Sequence, residues 1–309
     1  RKRRLVDAMA MIQVSNLSKK RRGAWEIRRR EKILFPPERV WSALTEPGEL
    51  TAWWCDEAKL DLRPGGIYSF SGKTVYPTRE TEGNFEILDI EDLSRLEYRW
   101  FIDEVETSVL YELESNLEQT ELIVTQSAER CPVWASSDSQ PNWWWTALPT
   151  LRTFIEDGAP ELRLDYAKAA AKSPQRFEAL IPTYAWLVWS KLFDPAEVQR
   201  WWPPSPLAMS PENGAEAPEG CGPASREVIS LEPPQRLEND WHWKDGPASR
   251  IEWGITETEG EDTIVSITDH NPAEEEADRV QRAIYWASTL LSLLQVSRTG
   301  SAPEEYQER

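Results

Sequence analysis

The sequence predicts an α+β protein in which one domain occurs twice in tandem. Residues 40–54 return 148 positions later as residues 188–202, and eight of the fifteen positions are identical, including a closing pair of tryptophans. Residues 87–100 match residues 228–241 at an offset of 141. In each copy, alternating segments typical of strands come before a segment of helical periodicity. A repeat of this length is a domain and not the unit of a solenoid.

The first copy is predicted to begin with a strand and two short helices. Residues 25–35 have apolar ends and a polar middle, which we interpret as the strand. Pro37 opens a helix with one apolar face, since proline is tolerated in the first helical turn. Pro47 ends this helix because proline disfavours helix at the preceding residue. Residues 50–54 form the second helix.

A hairpin and a meander of strands are predicted next. The Pro-Gly-Gly turn at residues 64–66 separates two alternating segments, of which the first extends through Leu62. Evenly spaced strands with short turns indicate an antiparallel sheet. The further strands are expected at residues 84–90, 96–101, 108–113 and 121–126.

A helix is predicted at residues 143–155, where apolar residues recur at helical spacing. Pro149 lies inside this segment and is expected to kink or interrupt the helix. Residues 159–175 are expected to link the two copies. Alanines within 164–172 predict a short helix in that linker.

The second copy repeats this order with one exception. Residues 203–224 are rich in proline and glycine, and we predict a loop there in place of the hairpin. The second copy's strands are expected at 177–181, 227–231, 237–243, 250–255 and 263–268, and its helix at 273–297. The predicted organisation is a leader at 1–23, domains at 24–158 and 176–300, a linker at 159–175 and a tail at 301–309.

Charge is unevenly distributed along the chain. Residues 1–32 contain twelve Lys or Arg and three Asp or Glu, a balance of +9, so the rest of a chain with net charge −18 carries −27. Such an acidic body repels nucleic acid and anionic membranes, and neither is an expected partner. The basic leader is expected to be disordered and solvated, with anion binding as the alternative.

The sequence indicates a cytoplasmic protein. It has no run of about 18 apolar residues, and its charged first residues lack the apolar core of a secretory signal. Cys55, Cys131 and Cys221 are far apart and show no CxxC spacing. This usage is typical of a reducing compartment without a disulfide framework or a zinc site.

Residues suited to catalysis are scarce. The two histidines, His242 and His270, both lie in the second copy, so no His-dependent nucleophile can be assembled in the first. Motifs for phosphate, dinucleotide or metalloprotease zinc binding are missing from the sequence. We therefore predict no catalytic residue, metal or cofactor. Strand alternation favours a solvent-facing His242, with a place in a cavity as the alternative.

The pattern in residues 35–47, the pair Trp53 and Trp54, and residues 61–70 resembles the SRPBCC (START-like, birch-pollen-allergen-like) superfamily. Within it, the chain resembles the branch related to the C-terminal domain of the heat-shock protein 90 ATPase activator. The resemblance implies two tandem helix-grip domains. Each is a curved antiparallel sheet wrapped around a long C-terminal helix, with two short helices after the first strand. We do not expect the separate N-terminal domain of the activators, since about 24 residues precede the first copy.

The resemblance also implies a cavity for an apolar ligand between sheet and helix, and the sequence supplies seventeen tryptophans to line it. The alternative is that these rings simply fill the core. The candidate ligand-binding residues are Trp41, Trp53, Trp54, Tyr68, Phe70, Trp100 and Trp144 in the first copy, and Trp189, Trp201, Trp202, Trp241, Trp243 and Trp286 in the second. Trp143 and Trp253 are further rings that could line the two cavities.

Three functions are compatible with the sequence. The leading hypothesis is a non-catalytic protein that binds an apolar or aromatic small molecule. The second is a co-chaperone-like interaction module, which the resemblance and the acidic body both favour. The third is an enzyme of the cyclase or dehydratase type, for which the weak acid and base candidates are Tyr68, Arg99, Glu112 and His242.

Overall fold

The computed structural model describes residues 25–75, 85–102, 105–115, 118–129, 143–171, 173–194, 197–198, 201, 223–243, 248–271 and 273–299. The predicted leader and tail lie outside these residues. So does nearly all of the proline-rich segment 203–224, where the predicted loop stays a prediction.

The first copy is built on a five-stranded antiparallel sheet of order β1-β7-β6-β5-β4, and β2 pairs with β3 in a separate hairpin. The first strand of the copy therefore pairs with its last. The elements are β1 (Trp25–Ile33), α1 (Pro37–Thr45), α2 (Pro47–Trp53), β2 (Glu57–Leu60), β3 (Tyr68–Ser71), β4 (Ile87–Glu91), β5 (Arg95–Ile102), β6 (Val105–Ser115), β7 (Thr120–Ala128) and α3 (Trp144–Asp157).

The second copy has the same architecture. Its sheet has the order β8-β12-β11-β10-β9, which reproduces the first sheet strand for strand. A short helix, α4 (Tyr166–Ala170), precedes it. The elements are β8 (Gln175–Ile181), α5 (Ala185–Phe193), β9 (Pro223–Glu232), β10 (Arg236–Trp243), β11 (Ser249–Glu257), β12 (Thr263–Asp269) and α6 (Glu276–Thr299). The prediction of an α+β chain with two tandem helix-grip domains is confirmed.

The repeated segment adopts the same local structure in both copies. Helices α1 and α5 begin and end 148 residues apart, as the sequence repeat requires. The indole Nε1 of Trp53 donates to the carbonyl of Ala43 at 2.9 Å, and that of Trp201 donates to Lys191 at 3.0 Å. Such a bond satisfies the N–H group of a buried indole. The first tryptophan of each closing pair is therefore an anchor: Trp53 joins α2 to α1, and Trp201 joins the segment after α5 to α5.

Helix α3 is packed against other elements on several of its sides. It contacts β1, α1, α2 and α6, and consequently nearly all its residues from Trp144 to Ile155 are buried. The helix continues through Pro149, so the expected interruption is wrong. The surrounding packing outweighs the loss of one backbone hydrogen bond at proline, a cost of about 3 kcal/mol in an isolated helix.

The hairpin turn depends on its second glycine. A Cβ atom at Gly66 would lie 1.9 Å from the carbonyl oxygen of Asp61, so no larger residue fits without moving the backbone. Gly65 has a φ of 76°, a conformation that glycine adopts without strain. Strand β2 ends at Leu60, and Leu62 is exposed in the turn. The predicted extension of the strand to Leu62 is wrong because the tight turn begins earlier.

The segment that joins the copies is held at both ends. The amide of Tyr166 donates to the carbonyl of Lys73 in the first copy at 2.8 Å. At the other end, Nε of Arg279 on α6 donates to the carbonyl of Ala170 at 2.6 Å. Helix α4 also packs against α6. The short helix expected within residues 164–172 is present, and it connects the first copy to the last helix of the second.

Candidate functional site

A pocket opens in the first copy where α2, β5, α3 and the connecting segment meet. It contains about 380 Å³ of empty space, counted with its open mouth. Its aromatic lining consists of Trp53, Trp54, Trp100, Trp143 and Tyr166. The other lining residues are Thr74, Thr146, Ala147, Thr150, Arg163 and Leu164. The site is thus apolar and aromatic with a few polar groups at its walls.

Interlocking rings pack behind the pocket, and two of them, Trp54 and Trp100, line it. The ring of Trp54 lies 4.2 Å from Phe70, 6.2 Å from Trp144 and 6.4 Å from Trp100, measured between centroids. Tilted and edge-to-face contacts of this kind are favourable. Because these rings fill most of the space between sheet and helix, the remaining space holds about one or two water molecules. A larger guest requires ring movement at the mouth.

The structure brings together three of the seven aromatic residues predicted for the first cavity. Trp53, Trp54 and Trp100 line the pocket, and so does Trp143. The other four do not line it: they are Tyr68, Phe70 and Trp144, which are buried in the surrounding core, and Trp41, which lies on α1. Their role in ligand binding stays a prediction.

The second-copy candidates are distributed over three elements and the segment after α5. Trp241 and Trp286 meet edge to face at 4.7 Å, and Trp189 packs on Phe193 within α5. Trp201 is buried. Two candidates cannot be placed: Trp202 lies outside the described residues, and the side chain of Trp243 on β10 is likewise outside them. Ligand binding by this set also stays a prediction.

The interiors of the two copies differ at one register position. Tyr98 pairs with Val109 in the first sheet, and Asn239 pairs with Ile251 at the corresponding place in the second. The hydroxyl of Tyr98 lies 3.0 Å from that of Tyr111 in a buried hydrogen bond. Asn239 is fully buried, and neither of its amide atoms has a hydrogen-bond partner. The buried, hydrogen-bonded pair Tyr98 and Tyr111 is therefore specific to the first copy.

The weak acid and base candidates do not converge. Tyr68 is buried and donates its hydroxyl to the carbonyl of Leu44 at 2.6 Å, and burial raises its pKa well above the usual value. The remaining three are Arg99, which pairs with two glutamates at the surface, Glu112, which is half-buried on β6, and His242, which is exposed. The solvent-facing prediction for His242 is confirmed.

Two further features of the described residues bear on the site. They contain no cluster of three or more His, Cys, Asp or Glu side chains that could hold a metal ion. Among the helices described, none is both long enough and apolar enough to cross a bilayer.

The sequence analysis did not predict that the connecting segment forms one wall of the pocket. Arg163, Leu164 and Tyr166 lie within the predicted linker, yet all three line the pocket. Burial raises the pKa of the Tyr166 phenol, and a hydrogen bond with Thr146 opposes this effect. The phenol therefore stays protonated at neutral pH. The apolar residues Leu162, Leu164 and Tyr166 at alternate positions were the signal that could have indicated burial.

Several solved structures are similar to this chain. DynU16, described as a protein in the dynemicin biosynthetic locus, is 19% identical with a TM-score of 0.37, and the match covers 91% of this chain and 98% of DynU16. The solution structure of CalU16 from Micromonospora echinospora is 22% identical with a TM-score of 0.34, covering 47% of this chain and 79% of CalU16. EF2215 from Enterococcus faecalis is 22% identical with a TM-score of 0.35, covering 47% and 80%.

One family model matches the chain twice. It is described as Activator of Hsp90 ATPase homolog 1-like protein, and it matches residues 34–148 and 183–297. The two matches coincide with the two copies of the repeat. No curated protein matches the chain.

Proposed function

Because the chain belongs to the family described as Activator of Hsp90 ATPase homolog 1-like protein, we propose that its first copy binds an apolar or aromatic small molecule. The observation that carries this proposal is the pocket itself, whose lining includes four tryptophans. A concave, mostly apolar site with a few polar groups is the usual form of a small-molecule site. Indole rings add large contact areas at low cost in conformational entropy.

The chemistry of the lining supports binding without catalysis. Among the described residues that line the pocket there is no histidine and no carboxylate. The titratable groups are Arg163 and Tyr166, and burial keeps the Tyr166 phenol protonated. General acid–base catalysis needs a group that changes protonation near the working pH. The binding function is therefore favoured over a cyclase or dehydratase.

We also propose that the protein works in the cytoplasm. Cys55 is a free thiol inside the first copy. Free buried thiols persist in a reducing compartment, where disulfides are rare.

The test uses a substitution that fills the pocket with a larger side chain and leaves the core side chains intact. Ala147→Phe, on the wall formed by α3, is expected to weaken binding of the neutral probe 1-naphthylacetamide by about tenfold or more, because the added ring takes the guest's place. Isothermal titration calorimetry measures the affinity. Native mass spectrometry of gently purified protein would show an endogenous ligand as extra mass that is lost on denaturation.

Ala58→Phe is the matched control, because Ala58 is also partly buried against the core of the same copy but does not line the pocket. Its affinity for the probe should equal that of the wild type. Equal affinity in both variants, or no binding by the wild type, would rule out the pocket as the binding site.

A second candidate function is binding to a protein partner, and one surface feature favours it. Trp186 and Leu187 at the start of α5 are 61% and 51% exposed. The corresponding residues of the first copy, 148 positions earlier, are Glu38 and Arg39. Adjacent exposed apolar side chains often mark an interaction surface. The family's name indicates the chaperone Hsp90 as the partner to test.

The double change Trp186→Glu with Leu187→Arg gives the second copy the residues of the first. If this surface binds purified Hsp90, the change is expected to weaken the complex by about tenfold or more and leave probe binding in the first copy unchanged. Analytical ultracentrifugation and chaperone ATPase rates are the measurements. Failure of the wild type to form a complex would eliminate this candidate.

A further inference from the structure

Arg163 is the one charged side chain among the described residues that line the pocket. It belongs to the segment between the two copies, and its side chain is 27% exposed. This long cationic side chain adds a positive charge to the wall of an aromatic pocket. A purely apolar ligand would make no favourable electrostatic interaction with it. The position of the guanidinium therefore indicates what kind of polar group the ligand has.

The contacts of Arg163 hold it in place without neutralising it closely. Its Nη2 donates to the carbonyl of Cys55 at 3.1 Å and to the hydroxyl of Thr74 at 3.0 Å. Nη1 makes only a long contact of 3.5 Å to the carbonyl of Ala52, and Nε has no hydrogen-bond partner. All these acceptors are neutral. Both hydrogens of Nη2 are thus engaged and Nε is buried, so Nη1 is the weakly engaged nitrogen of this guanidinium.

Two nearby groups that could balance the charge do so poorly. The carboxylate of Asp56 is 3.8 Å from Nη2, beyond hydrogen-bond distance, and is 46% exposed. Its attraction is weakened by water at that exposure. Burial raises the pKa of the Cys55 thiol to about 12, although Arg163 opposes the shift, so this thiol is neutral at pH 7. The cation is therefore held by neutral acceptors, and its carboxylate partner among the described residues is Asp56 at 3.8 Å.

We propose that the ligand of the first copy is an aromatic or apolar acid, whose ring lies among the tryptophans and whose carboxylate is bound by Arg163. This inference rests on the proposed function and specifies the ligand class of the same pocket. Hydrogen bonds from a guanidinium to a carboxylate are charge-assisted and strong, and Nη1 is the nitrogen of Arg163 placed to donate one. The apolar walls strengthen that interaction by excluding water.

The test compares two probes with the same ring system and nearly the same shape, the anion 1-naphthylacetate and the neutral 1-naphthylacetamide. The wild type is expected to bind the acid about tenfold to a hundredfold more tightly than the amide, since hydrogen bonds to a charged group are the stronger ones. Arg163→Gln should abolish this preference, because it weakens binding of the acid about tenfold to a hundredfold and binding of the neutral amide by a much smaller factor. Arg163→Lys should retain most of the preference because it keeps the charge.

Each outcome separates the inference from the proposed function. If the wild type binds the acid and the amide equally well, the ligand class is wrong and the binding function stands. If neither probe binds, the proposed function itself fails. If Arg163→Gln weakens acid and amide by the same factor, Arg163 only supports the wall through Cys55 and Thr74, and the inference is overturned. Retained preference for the acid in Arg163→Gln also overturns it.

Discussion

Glu31→Gln is expected to lower the free energy of unfolding by about 3–5 kcal/mol, the usual cost of removing one partner from a buried ion pair. Arg152 Nε on α3 lies 3.1 Å from Glu31 Oε1 on β1, and the two side chains are only 5% and 7% exposed. The pair joins the long helix of the first copy to the strand that begins its sheet. Without the carboxylate, the Arg152 guanidinium stays buried without its counter-ion.

Two variants show whether burial causes this effect. Glu121→Gln breaks the neighbouring pair with Arg30, whose side chains are 40% and 26% exposed, and should cost about 1 kcal/mol or less. Glu31→Gln combined with Arg152→Met should recover most of the loss, because no buried charge is left. Urea unfolding measures all three. A loss for Glu31→Gln as small as that for Glu121→Gln would show that the buried pair is not a principal contact.

The fold could be predicted because local signals and the repeat agree. Each closing tryptophan pair follows a proline-bounded helix, and the anchoring bonds of Trp53 and Trp201 show why the same pattern was kept twice. Pro149 illustrates the limit of such local signals. A proline rule applies to an isolated helix, whereas α3 is enclosed by four other elements. Contacts distant in sequence therefore decided the outcome there.

The pocket could be predicted only in part, because its two sides have different origins. Trp53, Trp54 and Trp100 belong to repeated elements, so their nearness follows from the fold. Arg163 and Tyr166 reach the pocket because the connecting segment docks on the first copy through the amide of Tyr166 and on α6 through Arg279. No periodicity within residues 159–175 encodes these two contacts, since both partners lie far away in the sequence.

The size of the open space inside the first copy could not be predicted from the sequence either. Aromatic residues at alternating strand positions predict an aromatic interior but not whether it is open. That depends on how far each ring extends and tilts, as in the contact of Trp54 with Phe70 at 4.2 Å. Most rings fill the core, and a few of them border the pocket.

Trp100→Ala is expected to lower the free energy of unfolding by about 3–5 kcal/mol, as is usual when a buried tryptophan is truncated. The ring of Trp100 is 1% exposed and lies 5.5 Å from Phe70, 5.6 Å from Trp143 and 6.1 Å from Trp144. Its Nε1 has no hydrogen-bond partner, so the loss is almost entirely one of packing. The vacated space adjoins the pocket and should enlarge it.

Indole added to the Trp100→Ala variant should therefore restore part of the lost stability, because a guest that binds the folded state stabilises it by mass action. Trp241→Ala is the control, since Trp241 has the same position in the second sheet, 141 residues later. Hydrogen exchange should increase in β4–β7 for the first variant and in β9–β12 for the second. An unchanged stability of Trp100→Ala in the presence of indole would mean that the surrounding rings collapse into the vacated space. The enlarged pocket would then not stay open for an aromatic guest.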